Sequence, residues 1–245
     1  MKALLQRKWP SVTETRIDGR LVAVAVRVSS RAHSYRLSIP HGGTPVLTVP
    51  KYGRWPEAEA FLSRQNAWLA ARLKRAAKPV SLADGAIVPL RGVEHRIVAT
   101  GSLRGRVRAV RAEGEKLLHV PGEPAHQTRR LMEWLKAEAK RDLELRVAVH
   151  ASALRVKVKS VAMRNQSTRW GSCSTTGRLN FNWRLVLAPP FVLDYVAAHE
   201  VANLVEMNHS QAFWDTVERT LPDMARGRAW LKAHGRQLMV YGLEV

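Results

Sequence analysis

The chain has 245 residues, room for one large domain or two small ones. Its 46% hydrophobic and 24% charged residues exclude wholesale disorder, and no apolar run approaches the ~20 residues of a membrane helix. Lysine and arginine outnumber aspartate and glutamate by 40 to 20, and the excess is mostly early: residues 1–120 carry a net +14 and residues 121–245 a net +6.

In chain order, residues 21–28, 35–40 and 45–49 are rich in β-branched residues and read as strands, with His41-Gly42-Gly43 as a hairpin turn between the second and third. Residues 55–77 space Trp55, Ala58, Phe61, Leu62, Trp68, Leu69 and Leu73 as one helix. Residues 86–120 read as short strands broken by Gly92, Gly101, Gly105 and Gly114. Residues 124–150 form a long helix whose apolar face carries Leu131, Trp134, Leu135, Ala139 and Leu143. Residues 156–163 and 179–187 alternate as strands around a polar loop, Gln166 to Ser174, and Pro189-Pro190 ends the second of them. A helix over 191–207 and two more near 210–220 and 223–239 close the chain. The pattern is α+β, with a basic strand-and-helix module over 1–120 and a second domain over 121–245.

The single cysteine, Cys173, excludes an internal disulfide and a four-thiolate metal site, and fits a cytoplasmic location. Ala3-Leu4-Leu5 is too short for the core of a signal peptide. The basic excess suits a surface that attracts nucleic acid or another polyanion, or a solvated arginine-rich face.

The chemistry concentrates at His199-Glu200-Val201-Ala202-Asn203, followed by His209. A zinc hydrolase needs about three protein ligands and one open position for water. Histidines at i and i+4 on a helix face the same way, and a glutamate after the first can act as general base. Here His199 and Glu200 are in place, Asn203 stands where the second histidine belongs, and a turn past the helix could return His209. Glu206, seven positions after His199, falls near the same helical face. Cys173 reads as a nucleophile or as a structural thiol. Arg169 and Arg184 read as substrate-binding or loop-anchoring, and Trp170, Trp183, Phe213 and Trp214 as core.

The run Arg169-Trp170-Gly171-Ser172-Cys173-Ser174, then Asn182-Trp183-Arg184, Leu193-Asp194-Tyr195-Val196, His199-Glu200, Met207-Asn208-His209-Ser210 and Phe213-Trp214 resembles the YgjP-like metallopeptidase family, bacterial relatives of the SprT-like zinc proteases. The resemblance implies a zincin-like domain with its active-site helix on a small sheet, zinc as cofactor, and a peptide or protein substrate. It implies His199 and His209 as zinc ligands, Glu200 as catalytic base, and Asn203 at a degenerate ligand position. Three outcomes are compatible with Asn203: metal held by the two histidines with Asn203 or Glu206; a folded protein without activity that serves as a basic binding module; or an engineered change that disables the site.

Overall fold

The computed structural model describes residues 9–40, 44–74, 79–166 and 169–243. The expected turn at His41-Gly42-Gly43 lies outside them. The chain divides into two compact units, Met1–Lys78 and Pro79–Val245.

In the first unit, β1 (Val12–Ile17), β2 (Arg20–Ser29), β3 (Arg36–Ser38) and β4 (Val46–Pro50) form one sheet in the order β1-β2-β4-β3. Strand β1 escapes sequence reading because its polar residues, Thr13, Glu14 and Arg16, hide the alternation that buries Thr15 and Ile17. Asp18 and Gly19 join it to β2 with φ of 46° and 80°. Two successive left-handed residues make the hairpin turn whose twist matches the strands. The expected helix over 55–77 is instead two: α1 (Trp55–Arg64) and α2 (Asn66–Lys74). The break follows from Asn66, whose Oδ1 accepts from the Thr15 hydroxyl at 2.8 Å. A side chain tied to β1 and a residue of poor helix propensity together end one helix and start another. Val24, Leu47, Val49, Ala58, Leu62 and Leu69 form the core of this unit.

In the second unit, β5 (Ile87–Leu90), β6 (Val93–Ala99), β7 (Arg108–Ala112) and β8 (Glu115–Val120) form a sheet in the order β5-β6-β8-β7. Helix α3 (Pro124–Leu154) comes next, then β9 (Ser160–Arg164), β10 (Gly171–Cys173) and β11 (Arg178–Asn182) in a second sheet ordered β10-β11-β9. A 3₁₀ turn (Trp183–Leu187) leads into α4 (Pro190–Ala202), α5 (Gln211–Thr220) and α6 (Met224–Leu238). Among the described residues, no helix is long and apolar enough to cross a membrane.

The unit boundary falls after residue 78, whereas the sequence pattern puts it at 120. Residues 87–120 share a core with α3, the 3₁₀ turn and α4: Val88, Leu90, Ile97, Leu118 and Val120 pack with Leu131, Leu135, Trp183, Leu187 and Val192. Arg91 reinforces this with a two-pronged pair to Asp142, at 2.7 and 2.9 Å, and a bond to Glu138 at 2.7 Å.

Three further boundaries move. The strand expected at 156–163 starts only at Ser160. The strand expected over 179–187 stops at Asn182, whose side chain accepts from the Arg184 amide at 3.1 Å and caps the 3₁₀ turn. Residues 183–187 are all buried, so their apolar alternation does not separate a wet face from a dry one. Helix α4 ends at Ala202 rather than 207, because Asn203 caps it.

Helices α3, α4 and α5 are joined by a partly buried polar cluster around the fully buried His150. Asp194 on α4 accepts from Arg146 on α3 at 2.5 and 2.8 Å, and from His150 Nε2 at 2.7 Å. The other ring nitrogen of His150 meets the Thr220 hydroxyl at 2.8 Å. Burial alone pushes the Asp194 carboxyl up, but the bonds and charges of His150 and Arg146 together outweigh it and hold the group below the usual carboxylate range. A depressed carboxylate contributes stability that is present above about pH 4 and is lost as pH falls through its folded value. Asp194→Asn should therefore lower unfolding stability at pH 7 by about 3 kcal/mol and flatten the acid limb of the stability curve. Denaturant melts at pH 7 and near pH 3 check both, and an unchanged midpoint at pH 7 contradicts the assignment.

Candidate metal centre

Helix α4 begins with Pro190 at its first position, where the missing N–H costs nothing, and is apolar on nearly every side. Its last turn carries the two polar groups of interest, His199 and Glu200. His209 arrives from the loop before α5. The turn over residues 203–206 and that loop bring its imidazole onto that of His199: the rings stack with centroids 5.1 Å apart and planes 23° apart, and the two Nε2 atoms stand 3.2 Å apart. Phe213, fully buried on α5, meets both rings edge-on at 4.9 and 4.5 Å. Trp214 flanks them at 5.8 and 6.2 Å, and Tyr195 lies 6.0 Å from His199. An aromatic shelf thus fixes both imidazoles.

Burial, then the charges of His209 and Arg228, push the His199 imidazole down to about 4. It is neutral at physiological pH, the form in which a ring nitrogen offers a lone pair. Its Nδ1 is buried without a partner among the described residues.

Glu200 is 5% exposed. Burial pushes its carboxyl up to about 7, against the opposing influence of a bond from Asn203 and the charge of Arg169. The strand β10 passes so close that a Cβ built on Gly171 would stand 2.6 and 2.7 Å from Glu200 Cγ and Cδ. A larger residue here would push the Glu200 side chain aside, a contact invisible in the sequence.

Asn203 turns back on its own helix. Its Nδ2 donates to the His199 carbonyl at 3.1 Å and faces Glu200 Oε2 at 3.5 Å. Both partners are acceptors, which fixes the amide orientation and leaves Oδ1 as the only atom of this side chain that could meet a cation.

The residues fit a divalent metal in part. Two ligands at 2.0–2.1 Å on a tetrahedral zinc are separated by about 3.3–3.4 Å, close to the observed spacing of the two Nε2 atoms. The third strong ligand is lacking: among the described residues, no group of three or more His, Cys, Asp or Glu could hold a metal ion. Glu206 does not join the pair. It lies beyond the end of α4, so the helical spacing that put it near His199 does not apply.

The remaining sequence candidates divide cleanly. Cys173 is half-buried and bonds the Ser174 carbonyl at 3.4 Å; burial first, and then the Glu200 charge, push its thiol up to about 11, which removes the nucleophile reading. Arg184 is a buried anchor, with bonds to the Tyr241 carbonyl at 2.8 Å and to Asn165 at 2.6 Å. Arg169 is exposed near Glu200. Trp170 and Trp183 pack in the core as expected, whereas Phe213 and Trp214 also face the two histidines. Arg228, on α6, stacks its guanidinium 4.3 Å over Trp214. Sequence reasoning missed it because no motif connects position 228 to position 199.

A model of the YgjP-like metallopeptidase domain matches residues 33–234. No curated protein matches the chain. Among solved structures, the crystal structure of the metallopeptidase zymogen of Pyrococcus abyssi abylysin is similar at 20% identity and a TM-score of 0.34, over 37% of this chain and 93% of that one. The family model spans well over half of the sequence, from the first unit to the last helix: this chain belongs to the YgjP-like metallopeptidase family.

Proposed function

We propose that this protein is a metal-dependent peptidase of low metal affinity, with zinc held by His199 and His209 and the Asn203 amide oxygen as a weak third ligand. The observation that carries this reading is the 3.2 Å approach of two imidazole nitrogens on an aromatic shelf. An amide oxygen is a poorer zinc ligand than imidazole, which is why affinity is low. A bound divalent metal would supply Lewis acidity, polarising the scissile carbonyl and acidifying water.

The chain's own residues do the rest. Glu200 accepts a proton from the attacking water and delivers it to the leaving amine, a task for which a carboxyl pushed up to about 7 is well matched. Gly171 lets β10 lie against that carboxylate. As the outer strand of its sheet, β10 offers free backbone groups along which an extended peptide can pair. The aromatic shelf of Phe213 and Trp214 keeps water off one side of the imidazoles.

A second reading, a family member without activity, draws on one observation: the Asn203 amide is spent inward on the His199 carbonyl and Glu200. One substitution tests whether residue 203 faces the metal. Asn203→His should raise zinc affinity by at least the roughly 10–100-fold that outer-shell partners alone are worth, measured by calorimetry against the parent. Equal affinity in the two proteins would place residue 203 outside the site and remove the proposal.

The zinc-loaded Asn203→His variant should also cleave an unfolded test protein. Adding Glu200→Gln should then cut the rate by about 10²–10⁴ while zinc binding persists, because Glu200 acts on water and does not hold the metal. Cleavage that survives Glu200→Gln rules out this base.

A further inference from the structure

Helix α6 packs on α4 at glycine distance. A Cβ built on Gly227 would run into Tyr195 Cβ and stand 3.0 Å from the Phe191 carbonyl oxygen. The next residue, Arg228, is thereby held beside the stretch of α4 that carries Tyr195 and His199. Its guanidinium lies 4.3 Å over the Trp214 ring, and that ring lies 5.8 Å from His199 and 6.2 Å from His209.

Arg228 is exposed and, among the described residues, has no carboxylate partner. What sets it apart from other exposed arginines of this unit is its place on the Trp214 ring that flanks the two histidines. Arg169, on the loop into β10, is likewise exposed and unpaired among the described residues. Glu200, whose carboxyl feels the charge of Arg169, is 5% exposed and set against Gly171. A guanidinium stacked on tryptophan keeps its in-plane N–H donors free, and the stack fixes it in place before a ligand arrives. Such a fork matches a carboxylate.

We infer that Arg228 is a specificity-determining residue that draws a carboxylate of the substrate, either an acidic side chain or a free C-terminus, to the His199–His209 pair. The inference rests on the peptidase reading above, and binding rather than cleavage keeps the two separable.

The probe is a fluorescent peptide in three forms: with glutamate side chains and a free C-terminus, with those glutamates replaced by glutamine, and with glutamates and an amidated C-terminus. Anisotropy is read on the full chain carrying Glu200→Gln, with zinc present, so that the peptide stays intact. The form with both carboxylates should bind about tenfold tighter than whichever of the other two lacks the carboxylate that Arg228 reads, the worth of one charge-assisted hydrogen bond. The glutamine and amide forms tell which carboxylate is read. Arg228→Met, which keeps a side chain on Trp214, should bring the ratio to about one, and Arg228→Lys should restore part of it. Arg111→Met, an equal loss of charge on exposed strand β7, should leave the ratio intact. A ratio of one in the parent, a ratio that survives Arg228→Met, or an equal collapse with Arg111→Met overturns the inference and leaves the peptidase reading standing. Failure to bind any of the peptides overturns both.

Discussion

From Val192 to Ala202, helix α4 turns apolar side chains in almost every direction, and α3, the 3₁₀ turn, α5, α6 and β10 close over it. With no wet face to occupy, the polar groups of its last turn must sit in a dry setting. Burial is the largest influence on both. It keeps the His199 imidazole neutral down to about 4 and lets the Glu200 carboxyl hold its proton up to about 7. One constraint thus prepares a lone-pair donor and a base from adjacent residues. It also explains the close approaches at Gly171 and Gly227, since a helix covered on all sides leaves no space for a Cβ at either contact.

Asn203 stands where two demands meet. As the residue after α4, it adds a side-chain bond to the His199 carbonyl, which its own backbone N–H also meets at 3.3 Å. As the residue one turn after His199, it occupies the place of a metal ligand. The first role uses its amide nitrogen and leaves the weaker oxygen for the second. The helix ends here, and Glu206 beyond it does not join the histidines in a three-ligand group.

The long helices α3, α5 and α6 and most strands are legible in the sequence because their apolar spacing survives to the surface of the fold. The illegible parts have particular causes. Trp183 to Leu187 alternate like a strand, but all five are buried, so alternation carries no information there. The break at Gln65 depends on Asn66 meeting Thr15, a contact across 51 positions. In the site, residue types point to His199, Glu200 and His209, and the order of the chain suggests a turn. The 3.2 Å meeting of the two imidazoles, the pressure of Gly171 on Glu200 and the stack of Arg228 on Trp214 are all tertiary, and no local spacing encodes them.

The central claim is that His199 and His209 together form the metal-binding half of this site. Zinc K-edge X-ray absorption on the loaded parent protein tests it most directly, because imidazole rings scatter with a recognisable outer-shell pattern. The account predicts two imidazoles per zinc, with the remaining ligands oxygen at about 2.0–2.2 Å. A spectrum without imidazole, or with sulfur at about 2.3 Å from Cys173, would contradict it.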